Sequence, residues 1–315
     1  MKIFWAGRGG APPPAGCAFQ TFPLFSSAPV ERIDALPSAS APFKPLSKTY
    51  SPTKEAWIRG VEKALIAIQQ KKLDKVVLAR CATLELDRAP DPFAVAAALQ
   101  KKAVNAYLFC LQTPERAFLG ASPERLFART GSEIASEAVA GTRKRGATDA
   151  EDEQLKKQLL SSPKELLEFF FVQNYLKETL EPLAKEPLTF SPLSIHATQN
   201  VQHLYSSCRG FLKPGVSDAL LLDRIHPTPA LCGAPKSEAL RLIREIEPFE
   251  RGLYGGVIGW HTPDASEYAV AIRSCLIEGK TVRLYSGTGI VEGSDPEREW
   301  EELDQKLRLY EGIFL

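Results

Sequence analysis

The sequence predicts an α+β protein in which helices cover the outer faces of sheets. Three observations carry this. Short apolar runs that alternate like strands come in groups, at residues 106–140 and again at 253–286. Stretches with helical apolar spacing separate those groups. The composition, 44% hydrophobic and 24% charged over 315 residues, is that of a globular chain able to bury a core as one large domain or two.

The elements follow in order. Nine of the 24 prolines fall within the first 52 residues, so residues 12–52 are expected to be extended or irregular. Edge strands are expected near 3–5 and 19–25. Residues 1–51 are thus set apart from 52–315. Trp57, Val61, Leu65 and Ile68 recur at helical spacing, and Lys71-Lys72 closes that helix. Residues 75–80 read as a strand, 92–102 as a helix, and 106–112, 117–120, 124–129 and 134–140 as strands. A helical stretch over 149–185 is interrupted at Ser161-Ser162-Pro163. Then come a strand (201–207), helices (217–224, 235–247), strands (253–261, 267–277, 281–286) and a last helix over 296–310.

Charge and composition exclude several classes. Lys and Arg number 39 against 38 Asp and Glu, a net charge of +1. A general nucleic-acid binder needs a clear positive excess. No run approaches the ~18 apolar residues of a membrane span, and Met1 to Arg8 carries no signal-like apolar core. The first 50 residues are acid-poor, with five basic and two acidic side chains, but a cytoplasmic location is expected. Cys17, Cys81, Cys110, Cys208, Cys232 and Cys275 form no C-x-x-C pair and read as buried thiols in a reducing compartment. The four histidines lack ligand spacing, so any metal is expected on carboxylates.

Four local features call for chemistry. Lys75 opens a strand whose faces are both apolar. Desolvation there would favour the neutral amine, a general base, although a lysine snorkelling at a sheet edge has the same pattern. Glu124 sits in the tight Gly120-Ala121-Ser122-Pro123-Glu124 connection between apolar segments, a place that suits a protonated carboxyl, or merely a turn residue. Glu165 and Glu168, and likewise Glu299 and Glu302, are three apart on helices, so each pair shares a face. Ser162-Pro163-Lys164-Glu165 also has the form of a capping box. Glu168 stands among Leu166, Leu167, Phe169, Phe170 and Phe171, where a buried charge needs a partner such as a hard cation. Glu302 is its natural counterpart, or else part of a solvated acidic face. Finally, Gly287-Thr288-Gly289 and Gly255-Gly256 are turns that let backbone N–H groups approach an anion, and Arg273 and Lys306 could add positive charge for a carboxylate. The strand–GxGxxG–helix fingerprint of nucleotide sites is absent.

Together these segments resemble the chorismate-binding enzyme family, most closely its isochorismate synthases. The resemblance runs through KVVLAR (75–80), FLGASPERL (118–126), AVAGTRKRG (138–146), SSPKELLEF (161–169), NVQHLYS (200–206), HPTPALCGAPK (226–236), ERGLYGGVIGW (250–260), AIRSC (271–275) and SGTGIVEGSDPEREWEELDQKL (286–307). It implies two mixed β-sheets packed face to face, helices outside, and a site in the cleft between them. It implies chorismate as substrate and Mg²⁺ as cofactor, held by Glu168 and Glu302 with Glu165 and Glu299 around the ion. Lys75 would deprotonate the attacking water and Glu124 would protonate the departing ring hydroxyl. Arg273, Gly287, Thr288, Gly289 and Tyr254 would hold the second carboxylate. Lys306 would stand near the metal, His226 near the ring, and Thr142 would position water or substrate.

The resemblance also separates members by nucleophile. Anthranilate synthases lack a lysine at position 75, and aminodeoxychorismate synthases carry one in place of Ala140. Lys75 with Ala140 therefore points to water. Salicylate synthases, which go on to eliminate pyruvate, depart from the H-P-T-P-A run intact at 226–230. Val257, Gly255 and Lys144 depart from the family's usual proline, alanine and proline. A monomer without an amidotransferase subunit is implied, and the sequence leaves open whether the product serves menaquinone, siderophore or salicylate synthesis. A catalytically silent chorismate binder and a nucleic-acid module built on Arg143-Lys144-Arg145 are the rival classes.

Overall fold

The computed structural model describes residues 1–22, 29–39, 41–103, 105–198 and 201–315. The strands are β1 (Lys2–Ala6), β2 (Ala18–Phe22), β3 (Glu31–Arg32), β4 (Pro45–Ser51), β5 (Lys75–Leu86), β6 (Tyr107–Gln112), β7 (Ala117–Ser122), β8 (Arg125–Thr130), β9 (Glu133–Lys144), β10 (Thr189–Phe190), β11 (Ser194–Ala197), β12 (Val201–Phe211), β13 (Gly233–Ala234), β14 (Val257–His261), β15 (Ala265–Val270), β16 (Ser274–Glu278) and β17 (Thr281–Ile290). The helices are α1 (Lys54–Gln69), α2 (Pro92–Lys102), α3 (Asp149–Ser161), α4 (Pro163–Leu180), α5 (Asp218–Ile225), α6 (Lys236–Ile246) and α7 (Pro296–Leu307).

Two sheets result. The first runs β13-β5-β17-β16-β7-β6-β1-β3, with β4 also on β5. The second runs β10-β12-β9-β8-β15-β14-β2, with β11 also on β12. The first is mixed through its parallel β1–β3 pair; the pairings of the second are antiparallel among the described residues. A shared core that includes Trp5, Phe109, Phe118, Ile258 and Tyr285 lies between the sheets. Helices α1, α6 and α7 pack over β5 and β17, and α4 over β9 and β12. The proline-rich start contributes β1, β3 and β4 to one sheet and β2 to the other.

Two tight crossings join the sheets directly. Pro123-Glu124 carries the chain from β7 in the first to β8 in the second, and Ala271-Ile272-Arg273 carries it back from β15 to β16. The crossings are bonded to each other's strands: Val270 N–H donates to Glu124 O at 3.1 Å and Ala121 N–H to Arg273 O at 3.1 Å. Arg273 has φ of 51°, a left-handed conformation rare for a side chain of its size.

Several expectations are corrected. The single strand at 267–277 is broken at this crossing, and residues 253–256 form a turn before β14. Strands β5, β9, β12 and β17 run longer than their apolar alternation indicates, because neighbouring strands extend the hydrogen-bond ladder. The strand expected at 19–25 is seen to Phe22; residues 23–25 lie outside the described residues, as does Asn200. Cys17 is half-exposed rather than buried, while all six thiols are free. Leu167 and Phe170 of α4 are exposed, so that helix is not enclosed all round.

Candidate active site

The cavity between the sheets is lined by Glu124, Ala140, Thr142, Glu168, His203, Tyr254, Arg273, Gly287, Thr288, Gly289 and Lys306, among others. The inner face of β5 supplies Val77, while Val76 and Leu78 face the helix-covered side, as alternation requires. Lys75 is on the same face as Val77 and fully buried, just behind the lining, with Nζ 3.1 Å from Glu168 Oε1. Burial lowers its pKa against the pull of Glu168. Gly289 of β17 makes this contact possible: a Cβ there would overlap the Glu168 carboxylate and stand 2.9 Å from Lys75 Cε. Gly287 likewise gives room to the Tyr254 hydroxyl, 2.6 Å from where a Cβ would be.

The two crossings deliver Glu124 and Arg273 to the same cavity. Glu124 is buried, and its carboxyl is pushed up to about 8, by burial first and then by the neighbouring Glu137. Arg8, from the N-terminal segment, ties this turn down by donating to Pro123 O and pairing with Glu137. Burial lowers the Arg273 guanidinium to about 10, and among the described residues it meets no carboxylate at ion-pair distance. Its Nη2 donates to His203 Nε2 at 3.2 Å, so the Nδ1–H of His203 is the one that faces Gly141 O at 3.2 Å. Burial, then Arg273, keeps this imidazole neutral. Opposite His203, β9 bulges at Gly141 (φ 70°), so Val139 to Thr142 all reach the cavity where a regular strand would present alternate residues.

The four glutamates come together where α4 meets α7 beside the cavity. The Ser162 side chain makes no cap hydrogen bond, which overturns the capping-box reading of Glu165. Its carboxylate instead accepts from Thr142 N–H at 3.0 Å and pairs with Arg143 at 2.7 Å. Asp295 caps α7, and Pro296 opens it. The Thr288 hydroxyl lies 2.6 Å from Glu299 Oε2 and 3.0 Å from Glu302 Oε1. Burial and Glu302 raise the Glu299 carboxyl; burial acts the same way on Glu302, but Lys306 at 2.7 Å and Lys164 outweigh it and hold that group at about 2. Lys306 also donates to Gly287 O at 2.7 Å. These are hard oxygen donors, suited to a cation such as Mg²⁺. Among the described residues no three such groups converge on one point.

His226 does not line the cavity. It stands one layer behind, with Nε2 2.8 Å from the carbonyl of Gly255, which does. The sequence reading missed His203, Lys164 and Arg251. Arg251 fastens the 250–256 turn to β5 through Val77 O at 2.7 Å and to Leu231 O at 2.8 Å. Only its place in the ERGLYGG stretch could have marked it.

The family model described as chorismate binding enzyme matches residues 28–311. This chain belongs to the chorismate-binding enzyme family. Among its chorismate-binding relatives, a chloroplastic isochorismate synthase 2 of Arabidopsis thaliana is 42% identical over 266 residues, 83% of this chain and 47% of the relative. The isochorismate synthase MenF of Bacillus subtilis is 40% identical over 81% of this chain and 54% of its own. The solved structure of the menaquinone-specific isochorismate synthase MenF of Escherichia coli superposes with a TM-score of 0.82 at 34% identity, covering 90% of this chain and 65% of that one. The chain thus spans about half the length of the curated relatives it matches. Among the described residues no helix is long and apolar enough to cross a membrane.

Proposed function

We propose that the chain is an isochorismate synthase, converting chorismate to isochorismate with Mg²⁺. The observation that carries the reading is that Lys75 of β5 and Glu124 of the β7–β8 crossing are both buried at one cavity, where burial lowers the pKa of the amine and raises the carboxyl to about 8. General base and general acid need that pairing at neutral pH. Lys75 accepts a proton from the attacking water as its oxygen bonds to the ring. Glu124 gives its proton to the ring hydroxyl leaving from the opposite face, which departs as water. Lysine ends as ammonium and glutamate as carboxylate, and exchange with solvent resets both.

Arg273, free of any carboxylate partner among the described residues, and the Gly287–Gly289 backbone suit the enolpyruvyl carboxylate. Thr142 and Tyr254 position the substrate, and Lys306 stands beside the metal site. Glu168 and Glu302 are the ligands we assign, with Glu165 and Glu299 around them. When bound, the divalent cation neutralises the ring carboxylate. Water as nucleophile requires no amidotransferase subunit, and Ala140 in the lining leaves room without adding a second amine.

The test is purified protein with chorismate and Mg²⁺, with isochorismate, salicylate, anthranilate and pyruvate followed by chromatography. Isochorismate alone is expected. Pyruvate with salicylate would replace this reading by salicylate synthase, and no turnover would leave a silent binder.

A further inference from the structure

Among the described residues each of the four glutamates has a cation at ion-pair distance: Arg143 for Glu165, Lys75 for Glu168, Lys306 for Glu302, and Lys164 for Glu299, with Lys164 also near Glu165. Three of these cations are committed elsewhere. Lys75 is sealed in β5, Lys306 also serves Gly287 O, and Arg143 is fixed on β9 and bonds Thr142 O. Lys164 differs. Its Nζ reaches from the first turn of α4 to Glu299 Oε1 of α7 at 2.8 Å, and lies 3.7 Å from Glu165 Oε1. It therefore bridges the two helices that carry the carboxylates. The position is unfavourable for a cation in its own helix, because the N-terminal end of α4 is the positive end of the helix dipole. What holds it is the carboxylates. Its side chain is 21% exposed and lines an open groove together with Glu165, Glu299, Glu302, Arg143 and Arg298. It has a route to solvent that Lys75 lacks.

With Lys75 neutral as the proposed base, the cations beside the four carboxylates are Arg143, Lys306 and Lys164. A divalent ion that binds Glu299 brings two positive charges beside the Lys164 ammonium 2.8 Å away, so the two repel and compete for the same carboxylate. We propose that Lys164 is a positioning residue that holds α4 against α7 before the metal arrives and competes with it for the same carboxylates. The inference rests on the assignment of these glutamates as metal ligands. Its two consequences have opposite signs. Without metal, loss of the ammonium leaves like charges facing one another and weakens the α4–α7 contact. With metal, the same loss removes a repelling charge and tightens binding. A purely structural lysine would give the first effect only, and a lysine that assists binding would give the reverse of the second.

The experiment compares the full chain with Lys164→Met and Lys164→Arg by calorimetric titration with MgCl₂ and MnCl₂ at one pH and ionic strength. Thermal unfolding is followed with and without saturating Mg²⁺, and Lys164→Gln replaces the methionine variant if that does not fold. The neutral variant is expected to bind the ions about tenfold or more tightly. Its unfolding midpoint falls without metal and recovers with it, and the arginine variant behaves like the parent. If the parent binds metal and the neutral variant binds it equally or more weakly, the competition is overturned while the ligand assignment stands. If only the neutral variant binds, the competition is supported. If no protein binds either ion, the ligand assignment falls and the inference with it.

Discussion

Lys75 and Glu124 set the expected pH behaviour. Burial lowers the amine's pKa, so the neutral base forms as pH rises through it; the acid is lost as pH rises through about 8. Turnover is expected to fall on the alkaline side as Glu124 loses its proton near pH 8, and Glu124→Gln should abolish turnover at every pH. Lys75→Ala should lower turnover by about a thousandfold, with chorismate binding still measurable by titration. The raised Glu124 value also acts on stability. The native state holds a proton that the unfolded chain gives up near the ordinary carboxyl value, so stability falls as pH rises from there through about 8. Glu124→Gln removes that loss; its unfolding midpoint should gain on the parent's at pH 9 and not at pH 4. At this scale the sequence was informative where a charged residue interrupts an apolar pattern, as at Lys75, Glu124 and Glu168. His203 gave no such signal, because its partners Arg273 and Gly141 are distant along the chain.

Helix α7 brings Lys306 to the cavity and Glu299 and Glu302 beside it, and an aromatic-cation lock fixes it. The Arg80 guanidinium, fully buried, lies 4.0 Å from the Trp300 ring centroid and 4.5 Å from that of Tyr50, and pairs with Asp304 at 2.5 Å. Trp300→Ala should cost about 3–5 kcal/mol in urea unfolding and lower Mg²⁺ affinity, because the helix that carries the proposed ligands Glu299 and Glu302 loses its seat. In β17, Gly289→Ala should displace the Glu168 carboxylate and reduce turnover without a comparable loss of folding, measured by circular dichroism. The helices were legible from apolar spacing and capping residues such as Asp295. Strand ends were less so. Alternation over 267–277 runs on through Arg273, and the break there is imposed by Ala121 N–H and the Tyr310 hydroxyl, both of which donate to Arg273 O.

For the molecule as a whole, nine ordered motif matches indicated the two-sheet architecture, which no single element's periodicity could supply. Residues 1–51 were legible at the strands near 3–5 and 19–22, but not at β3, β4 or the reach of Arg8, since proline density signals only irregular backbone. In the structure they add strands to both sheets and send Arg8 to the Glu124 turn. Arg8→Ala should speed hydrogen exchange over residues 120–126 and reduce turnover several-fold. The pair of crossings at Pro123-Glu124 and Ala271–Arg273 has a mechanical consequence. Sheets stitched by two such short spans cannot swing apart like the covers of a book without tearing the turns that carry Glu124 and Arg273. Traffic must therefore pass through the mouth of the cleft, while the spine stays shut.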